Sequence, residues 1–137
     1  FISVADRDKR NIILPALRFS QLGFKIVATE GTAEILQRNG IPATIIGKVS
    51  AHLGDDTIVE LLNRDEVDIV INTPSGSAAR ADGYEIRASA IAADKPLFTN
   101  MAQVSAAVAS IDTIHEGFDV CSLQEYAIKR RQALANA

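Results

Sequence analysis

Five short runs of β-branched and aliphatic residues alternate along the chain with longer stretches of helical character. The strongest run, 67–72 (VDIVIN), is almost continuously apolar, which is typical of a central parallel strand covered on both faces. Alternation of strands and helices in this order predicts a parallel sheet with helices on both of its faces. We therefore expect an α/β fold.

The element boundaries follow from apolar periodicity and from cap and turn residues. The predicted strands are 1–4, 24–28, 43–46, 67–72 and 97–100. The predicted helices are 6–22, 32–39, a segment after 57, 84–93, 101–109 and 122–135. Asp6 and Asp8 are candidate caps for the first helix, and Thr57 is a candidate cap for the third. Pro15 lies inside the first helical pattern and is expected to kink or interrupt it.

Size and composition restrict the class of protein. A chain of 137 residues, 47% of them hydrophobic, suits one compact domain over residues 1–137. The net charge of −3 offers no basic surplus for nucleic acid, and no apolar run approaches the roughly 20 residues of a membrane span. The single cysteine, Cys121, excludes an internal disulfide, so we expect a reducing, cytoplasmic compartment. Because the first residue is Phe1 and not Met, we interpret the chain as a fragment of a longer protein.

The segment Thr29-Glu30-Gly31-Thr32 lies where the second predicted strand gives way to a helix. The first backbone N–H groups of a helix have no intrahelical partner, and the helix dipole adds positive potential there. Gly31 allows close approach of an anion, and the two threonines add hydroxyl donors. A phosphate is therefore expected at this turn. The alternative is that Thr29 only caps the helix.

Polar residues follow other predicted strands and are expected at the same edge of the sheet, because ligands bind beyond the carboxyl ends of parallel strands. Lys9 and Lys48 provide point charges for a phosphate. Asn72, followed by Thr73 and Ser75, provides an amide that both donates and accepts hydrogen bonds. The set predicts a pocket for a small phosphorylated molecule. The alternative for each lysine is a solvated surface position.

Several common site motifs are absent from the sequence. It contains no P-loop pattern, no G-x-G-x-x-G fingerprint and no G-x-S-x-G elbow. His52 and His115 have no companions at metal-ligand spacing, so no metal site is predicted. The sequence thus favours binding of a phosphorylated ligand over nucleotide hydrolysis, dinucleotide chemistry or metal catalysis.

Short segments of the chain occur in a characteristic order and spacing. They are 3–4 with 8–9, 22–24, 28–33, 40–41, 48–49, 68–73, 75–76 and 86–90, followed by 121–126 (CSLQEY) at the start of the last predicted helix. This ordered set resembles the methylglyoxal-synthase-like domain family, and within it the carboxy-terminal allosteric domain of the carbamoyl phosphate synthase large subunit.

The resemblance implies a three-layer α/β/α sandwich with a five-stranded parallel sheet. It also implies a regulatory domain without catalytic residues, metal or cofactor of its own, which binds UMP, IMP or ornithine as effectors. The residues implied to bind the effector phosphate are Lys9, Thr29, Gly31, Thr32 and Lys48. Those implied to face the ribose or base are Asn72, Thr73 and Ser75.

For the parent enzyme, the resemblance implies ATP-dependent synthesis of carbamoyl phosphate for pyrimidine and arginine biosynthesis. ATP with Mg or Mn would be bound by other parts of the large subunit. The implied partners are the rest of that subunit and a glutaminase small subunit, in an oligomeric assembly without nucleic acid or membrane.

The sequence departs from the family pattern on the side that would read the base. Pro74 stands where nucleotide-binding members often have threonine, and Gly83 stands where serine is often found. One alternative is therefore a vestigial domain that serves docking or oligomerisation. A second is a stand-alone methylglyoxal synthase-type phosphate lyase, although the catalytic aspartate segment and the tryptophan of that enzyme are absent here. The cyclohydrolase half of the bifunctional purine enzyme is a third, but its Lys-Thr-Leu-His-Pro segment is also absent.

Overall fold

The computed structural model describes residues 1–47, 57–73, 80–115 and 120–135. The strands are β1 (Ile2–Ser3), β2 (Val27–Thr29), β3 (Thr44–Ile46), β4 (Val70–Asn72) and β5 (Leu97–Phe98). The α-helices are α1 (Ile13–Gln21), α2 (Glu30–Arg38), α3 (Ile58–Asn63), α4 (Arg80–Ala92), α5 (Met101–His115) and α6 (Leu123–Ala135). All strands pair in parallel in one five-stranded sheet with the order β3-β2-β1-β4-β5. The predicted α/β fold is confirmed.

Helices cover both faces of the sheet and form one hydrophobic core on each face. Successive residues of a strand point to opposite faces, and accordingly Ile71 of β4 lies in one core and Val70 in the other. Helices α1, α2 and α5 and the N-cap residue of α1 complete the core around Ile71 with Ile12, Ala16, Phe19, Ala33, Leu36, Val104 and Val108. Helices α3 and α4 complete the core around Val70 with Ile58, Leu62, Ile86 and Ala90. The result is a three-layer α/β/α sandwich.

The strand order reverses between the neighbouring strands β1 and β4. From β1 the chain moves outward to β2 and β3, and it then crosses to the other side of β1 for β4 and β5. Ser3 pairs with Asn72 across this junction. In a parallel sheet, such a reversal opens a crevice beyond the carboxyl ends of the two strands, where ligands bind. The topology therefore places the segments after Ser3 and Asn72 at the preferred ligand edge.

The segment after β1 corrects the prediction of one helix over 6–22. Asp6–Asp8 form a 3₁₀ turn, and α1 begins only at Ile13. Neither the turn nor the helix has a side-chain cap, so the capping prediction for Asp6 and Asp8 is wrong. The break in the helix precedes Pro15, which lies in the first turn of α1. Its missing N–H would have no helical partner there, so Pro15 causes no kink.

Other boundaries differ by smaller amounts. Thr57 caps α3 in a reciprocal capping box with Glu60, as predicted for the cap. Helix α5 continues past its predicted end at 109 to His115. In this extension Ser110 and Thr113 donate their hydroxyls to the carbonyls four residues before them, each at 2.9 Å. These polar side chains are thus satisfied within the helix and do not terminate it.

Candidate functional site

Three polar side chains are buried among the described residues, and all of them lie at the carboxyl edge of the sheet. Thr32 is 2% exposed, Asn72 is 5% exposed and Thr73 is 4% exposed. A polar group without a partner in an apolar interior costs free energy, so each of these side chains is expected to have a defined hydrogen bond. The edge of the sheet that the topology favours for ligands is therefore also where the fold places its buried polar groups.

Hydroxyl groups connect β1, β2 and the start of α2. Thr29 Oγ1 lies 3.3 Å from Ser3 Oγ and 3.4 Å from Thr32 Oγ1. The backbone N–H of Val4 donates to Thr32 Oγ1 at 3.4 Å. Thr29 occupies the N-cap position of α2 but makes no side-chain cap hydrogen bond. The alternative prediction that Thr29 only caps the helix is therefore wrong, since its hydroxyl faces the hydroxyls of the site.

Lys9 lies over the first turn of α2. Its Nζ is 3.1 Å, and its Cε 3.9 Å, from the position that a Cβ atom on Gly31 would occupy. The absence of a side chain at Gly31 thus allows the ammonium group to approach the helix start closely. Lys9 is largely shielded from solvent, and its Nζ also bonds Asp6 Oδ1 at 2.7 Å. The hydrogen bond from Lys9 lowers the pKa of Asp6, although the Asp6 side chain is 93% exposed.

The start of α2 therefore combines three sources of positive potential or hydrogen-bond donation. They are the free N–H groups of the first helical turn, the helix dipole and the Lys9 ammonium group. Because the Asp6 carboxylate is exposed, it can move away from Lys9 without leaving a buried charge behind. An incoming anion can replace it at the ammonium group.

The other side of the site is formed by the end of β4. Thr73 Oγ1 accepts a hydrogen bond from the Ala5 N–H at 2.9 Å, and the Thr73 N–H donates to the Ser3 carbonyl at 3.1 Å. Asn72 Oδ1 accepts a hydrogen bond from Arg87 Nη1 of α4 at 2.8 Å. These bonds fix the segments that follow β1 and β4 relative to one another.

The structure brings together Lys9, Thr29, Gly31 and Thr32, four of the residues predicted for phosphate binding. Asn72 is the last residue of β4 and Thr73 follows it, at the same edge of the sheet. Their roles in ligand binding remain predictions. The other predicted site residues, Lys48 and Ser75, lie outside the described residues, as do His52 and Pro74.

Arg87 was not predicted as a site residue, although a pattern in the sequence could have identified it. Gly83, Ile86, Arg87 and Ala90 lie at the spacing of one helical face. Gly83, Ile86 and Ala90 are buried against the sheet. A charged residue on a buried face requires a partner, which indicates a contact with a polar group of the sheet.

A separate cavity of about 230 Å³ lies at the opposite, amino-terminal edge of the sheet. Phe19, Phe24 and Val67 contribute to its mainly apolar lining. Within the described residues there is no group of three or more His, Cys, Asp or Glu side chains that could hold a metal ion. No helix in this part of the chain is long and apolar enough to cross a membrane.

A three-layer sandwich around one five-stranded parallel sheet, with hydroxyls, a lysine and a helix start at its switch point, defines the class of parallel α/β domains to which this chain belongs. The sequence model of the MGS-like domain family matches residues 11–99. The chain therefore belongs to the MGS-like domain family.

Curated relatives agree with this assignment. The chain is 68% identical over 133 residues to a carbamoyl phosphate synthase large chain of Clavibacter sepedonicus, a match that covers 95% of this chain and 12% of the relative. It is 50% identical to the same protein of Beutenbergia cavernae, again over 95% of this chain and 12% of the relative. For Streptomyces coelicolor the identity is 48%, with 93% and 12% coverage. The chain thus spans about one eighth of the length of these relatives.

Proposed function

We propose that this domain binds a phosphorylated nucleotide, UMP or IMP, as an effector and thereby modulates ATP-dependent carbamoyl phosphate synthesis in a longer protein. The observation that carries the proposal is the position of Lys9 over Gly31 at the start of α2. There a lysine, a glycine and the free N–H groups of a helix converge at the switch point of a parallel sheet.

The phosphate would bind at the start of α2. Lys9 would supply a positive charge, the first turn of α2 would supply N–H donors, and Thr29 would supply a hydroxyl. Lys48 is predicted to supply a second positive charge. It comes after β3 in the sequence, and β3 is the strand next to β2 in the sheet. The sugar and base would then extend across the end of β1 towards Asn72 of β4, since Ser3 and Asn72 are paired there.

Regulation requires a second site whose state depends on the effector. We propose that this second site lies in the remainder of a longer protein; the similarity to carbamoyl phosphate synthase large chains, about eight times the length of this chain, supports the proposal. ATP, its Mg or Mn ions, the glutaminase small subunit and the oligomeric assembly belong to that remainder. A cytoplasmic location and roles in pyrimidine and arginine biosynthesis are part of the same proposal.

Thermal denaturation of the 137-residue chain with UMP, IMP, ornithine and inorganic phosphate tests the binding step. A ligand at 100 times its dissociation constant adds about 2.7 kcal/mol of stability. We expect a stabilisation by UMP or IMP that Lys9→Met strongly reduces. The matched control is Lys25→Met, because Lys25 is exposed and lies beside the cavity at the opposite edge of the sheet. Equal responses of the two variants would contradict the assigned site.

The alternatives give different results in the same series. Stabilisation by phosphate alone would indicate an anion site without base recognition. No stabilisation by any ligand would favour a docking or oligomerisation domain. Formation of methylglyoxal from dihydroxyacetone phosphate would support the phosphate lyase instead.

A further inference from the structure

The hydrogen bond between Arg87 and Asn72 fixes the orientation of the Asn72 side-chain amide. Arg87 Nη1 lies 2.8 Å from Asn72 Oδ1. A guanidinium group has only donors, so the amide atom that faces it must be the carbonyl oxygen. The amide nitrogen is then on the branch that points away from Arg87. Asn72, which in general could present either a donor or an acceptor, is therefore held with its donor available on the other side.

Among the side chains that the structure describes, Arg87 makes no ion pair with a carboxylate, and it donates a hydrogen bond to the neutral amide of Asn72. Arg87 is half-buried on a helical face that it shares with fully buried residues. Retaining a charged side chain in this position costs desolvation free energy. One hydrogen bond to a neutral amide offsets only part of this desolvation free energy. The contact is therefore better explained by its effect on the orientation of Asn72 than by its contribution to stability.

Gly83 provides the space for this contact. A Cβ atom at position 83 would lie 2.9 Å from Arg87 Nη1 and 3.5 Å from Asn72 Oδ1. Gly83 lies within α4 and does not have a positive φ, so its backbone does not require glycine. Glycine in a helix interior is disfavoured relative to alanine. The glycine is thus explained by the room that it leaves between α4 and the Arg87–Asn72 pair.

We propose that Arg87, in the space left by Gly83, holds Asn72 as a hydrogen-bond donor to the ligand, and that the site therefore prefers a base with a carbonyl oxygen over one with an exocyclic amine. The inference rests on the proposed function and adds two positioning residues to it. Gly83, which replaces a serine common in the family, then contributes to base recognition by leaving space for Arg87 beside Asn72. A ligand amine would meet the Asn72 donor and leave both donors without an acceptor.

The test compares two matched pairs of ligands by calorimetric titration of the 137-residue chain. UMP has a carbonyl oxygen on its base where CMP has an exocyclic amine, and IMP and AMP differ in the same way. For the wild-type chain we expect a preference of roughly tenfold for the carbonyl member, the equivalent of one hydrogen-bond mismatch. Arg87→Met and Gly83→Ala should both reduce the preference to within about threefold.

Used together, Arg87→Met and Gly83→Ala distinguish the orientation of the Asn72 amide from the charge of Arg87 and from the stability of the chain. Arg87→Met removes a positive charge, and Arg38→Met, at the distant end of α2, is its control. Gly83→Ala retains the charge. Alanine favours the helix, but its Cβ displaces Arg87 Nη1 from the buried Asn72 amide, so we expect a small fall in the melting temperature. Titration below the onset of unfolding then shows that a loss of preference in Gly83→Ala is not a consequence of unfolding.

Each outcome decides the question. If nucleotides bind and the wild-type chain lacks the preference, or if Gly83→Ala and Arg87→Met retain it, the orienting role is wrong while the proposed function stands. If no nucleotide binds the wild-type chain, the proposed function and this inference both fail. A preference that is lost in both variants and retained in Arg38→Met supports the inference.

Discussion

Thr73 connects the two sides of the switch point, and replacing it by valine tests this connection. Its Oγ1 accepts a hydrogen bond from the Ala5 N–H at 2.9 Å, and both residues are buried. Valine has nearly the shape of threonine, so Thr73→Val removes the acceptor and leaves the packing in place. The Ala5 N–H then remains in the interior without a partner.

The expected cost is about 1–3 kcal/mol of unfolding free energy, the penalty for an unsatisfied buried donor. Thr73→Ser keeps the hydroxyl and loses one methyl group, for which we expect about 0.5–1.5 kcal/mol. Thr44→Val replaces an exposed threonine of β3 and should change stability by less than about 0.5 kcal/mol. Urea denaturation followed by circular dichroism measures all three variants, and a constant m-value shows that stability alone has changed.

The same substitution should weaken phosphate binding. Ala5 directly precedes the 3₁₀ turn at Asp6–Asp8, and this turn leads to Lys9. Loss of the Thr73 hydrogen bond loosens the segment that holds Lys9 over α2. If Thr73→Val were as stable as Thr44→Val, the hydrogen bond would not secure the switch point and the reasoning would be refuted.

Three further predictions concern charged groups. Asp6→Asn should raise the affinity for inorganic phosphate by a small factor, because it removes the carboxylate that competes for Lys9; an unchanged affinity by calorimetry would contradict this competition. The hydrogen bond from Lys95 lowers the pKa of Asp65, so this pair contributes stability above the ordinary carboxyl range near pH 4 that is lost as pH falls through the lowered pKa. Asp65→Asn is the suitable variant because asparagine tolerates the positive φ of this position. The stability of Asp65→Asn should therefore fall less steeply with decreasing pH than that of the wild-type chain. Identical acid profiles would exclude a stabilising contribution of the pair of Asp65 and Lys95. At the start of α6, the Ser122 backbone N–H donates a hydrogen bond to the Glu125 carboxylate and lowers its pKa. Glu125→Gln removes this charge and should reduce helical ellipticity at neutral pH. Equal ellipticity would show that the bond between Ser122 and Glu125 does not stabilise α6.

The fold follows from the sequence to a large extent because its determinants are local and repeated. Alternation of apolar runs and helical stretches predicts the parallel sheet. Val70 and Ile71 show why a run such as 67–72 can be apolar at successive positions, because Val70 lies in the core on one face of the sheet and Ile71 in the core on the other. The ends of the first helix were less predictable. Pro15 is compatible with a first helical turn as well as with a break, so its position in the sequence does not decide where α1 begins.

The grouping of Lys9 with the start of α2 also followed from the sequence, since Thr29, Gly31 and Thr32 lie close together in the chain and Lys9 follows a neighbouring strand. The contact between Arg87 and Asn72 was not predicted because it joins a helix to a strand. The same applies to Gly83, which the sequence alone presents as a departure from a family pattern. Its physical reason, the 2.9 Å approach of a Cβ atom to Arg87 Nη1, exists only in three dimensions.

Helix α6 shows a different limit of the sequence pattern. In the sequence of the last helix, Leu123, Ala127 and Leu134 lie on one side. In the structure α6 has no buried residue, and Leu123 and Leu134 are among the most exposed large apolar side chains of the described residues. Periodicity identifies an apolar side of a helix, but it does not show whether the domain itself covers that side.

The central claim is that a nucleotide phosphate binds at the start of α2 and that its base extends towards β4. Nuclear magnetic resonance titration of the isotopically labelled 137-residue chain with UMP or IMP locates the ligand directly. We predict that the largest shifts of backbone amides occur at Lys9, Gly31, Thr32 and Asn72. Shifts concentrated around Lys25 at the opposite edge of the sheet, or no shifts at saturating nucleotide, would contradict the claim.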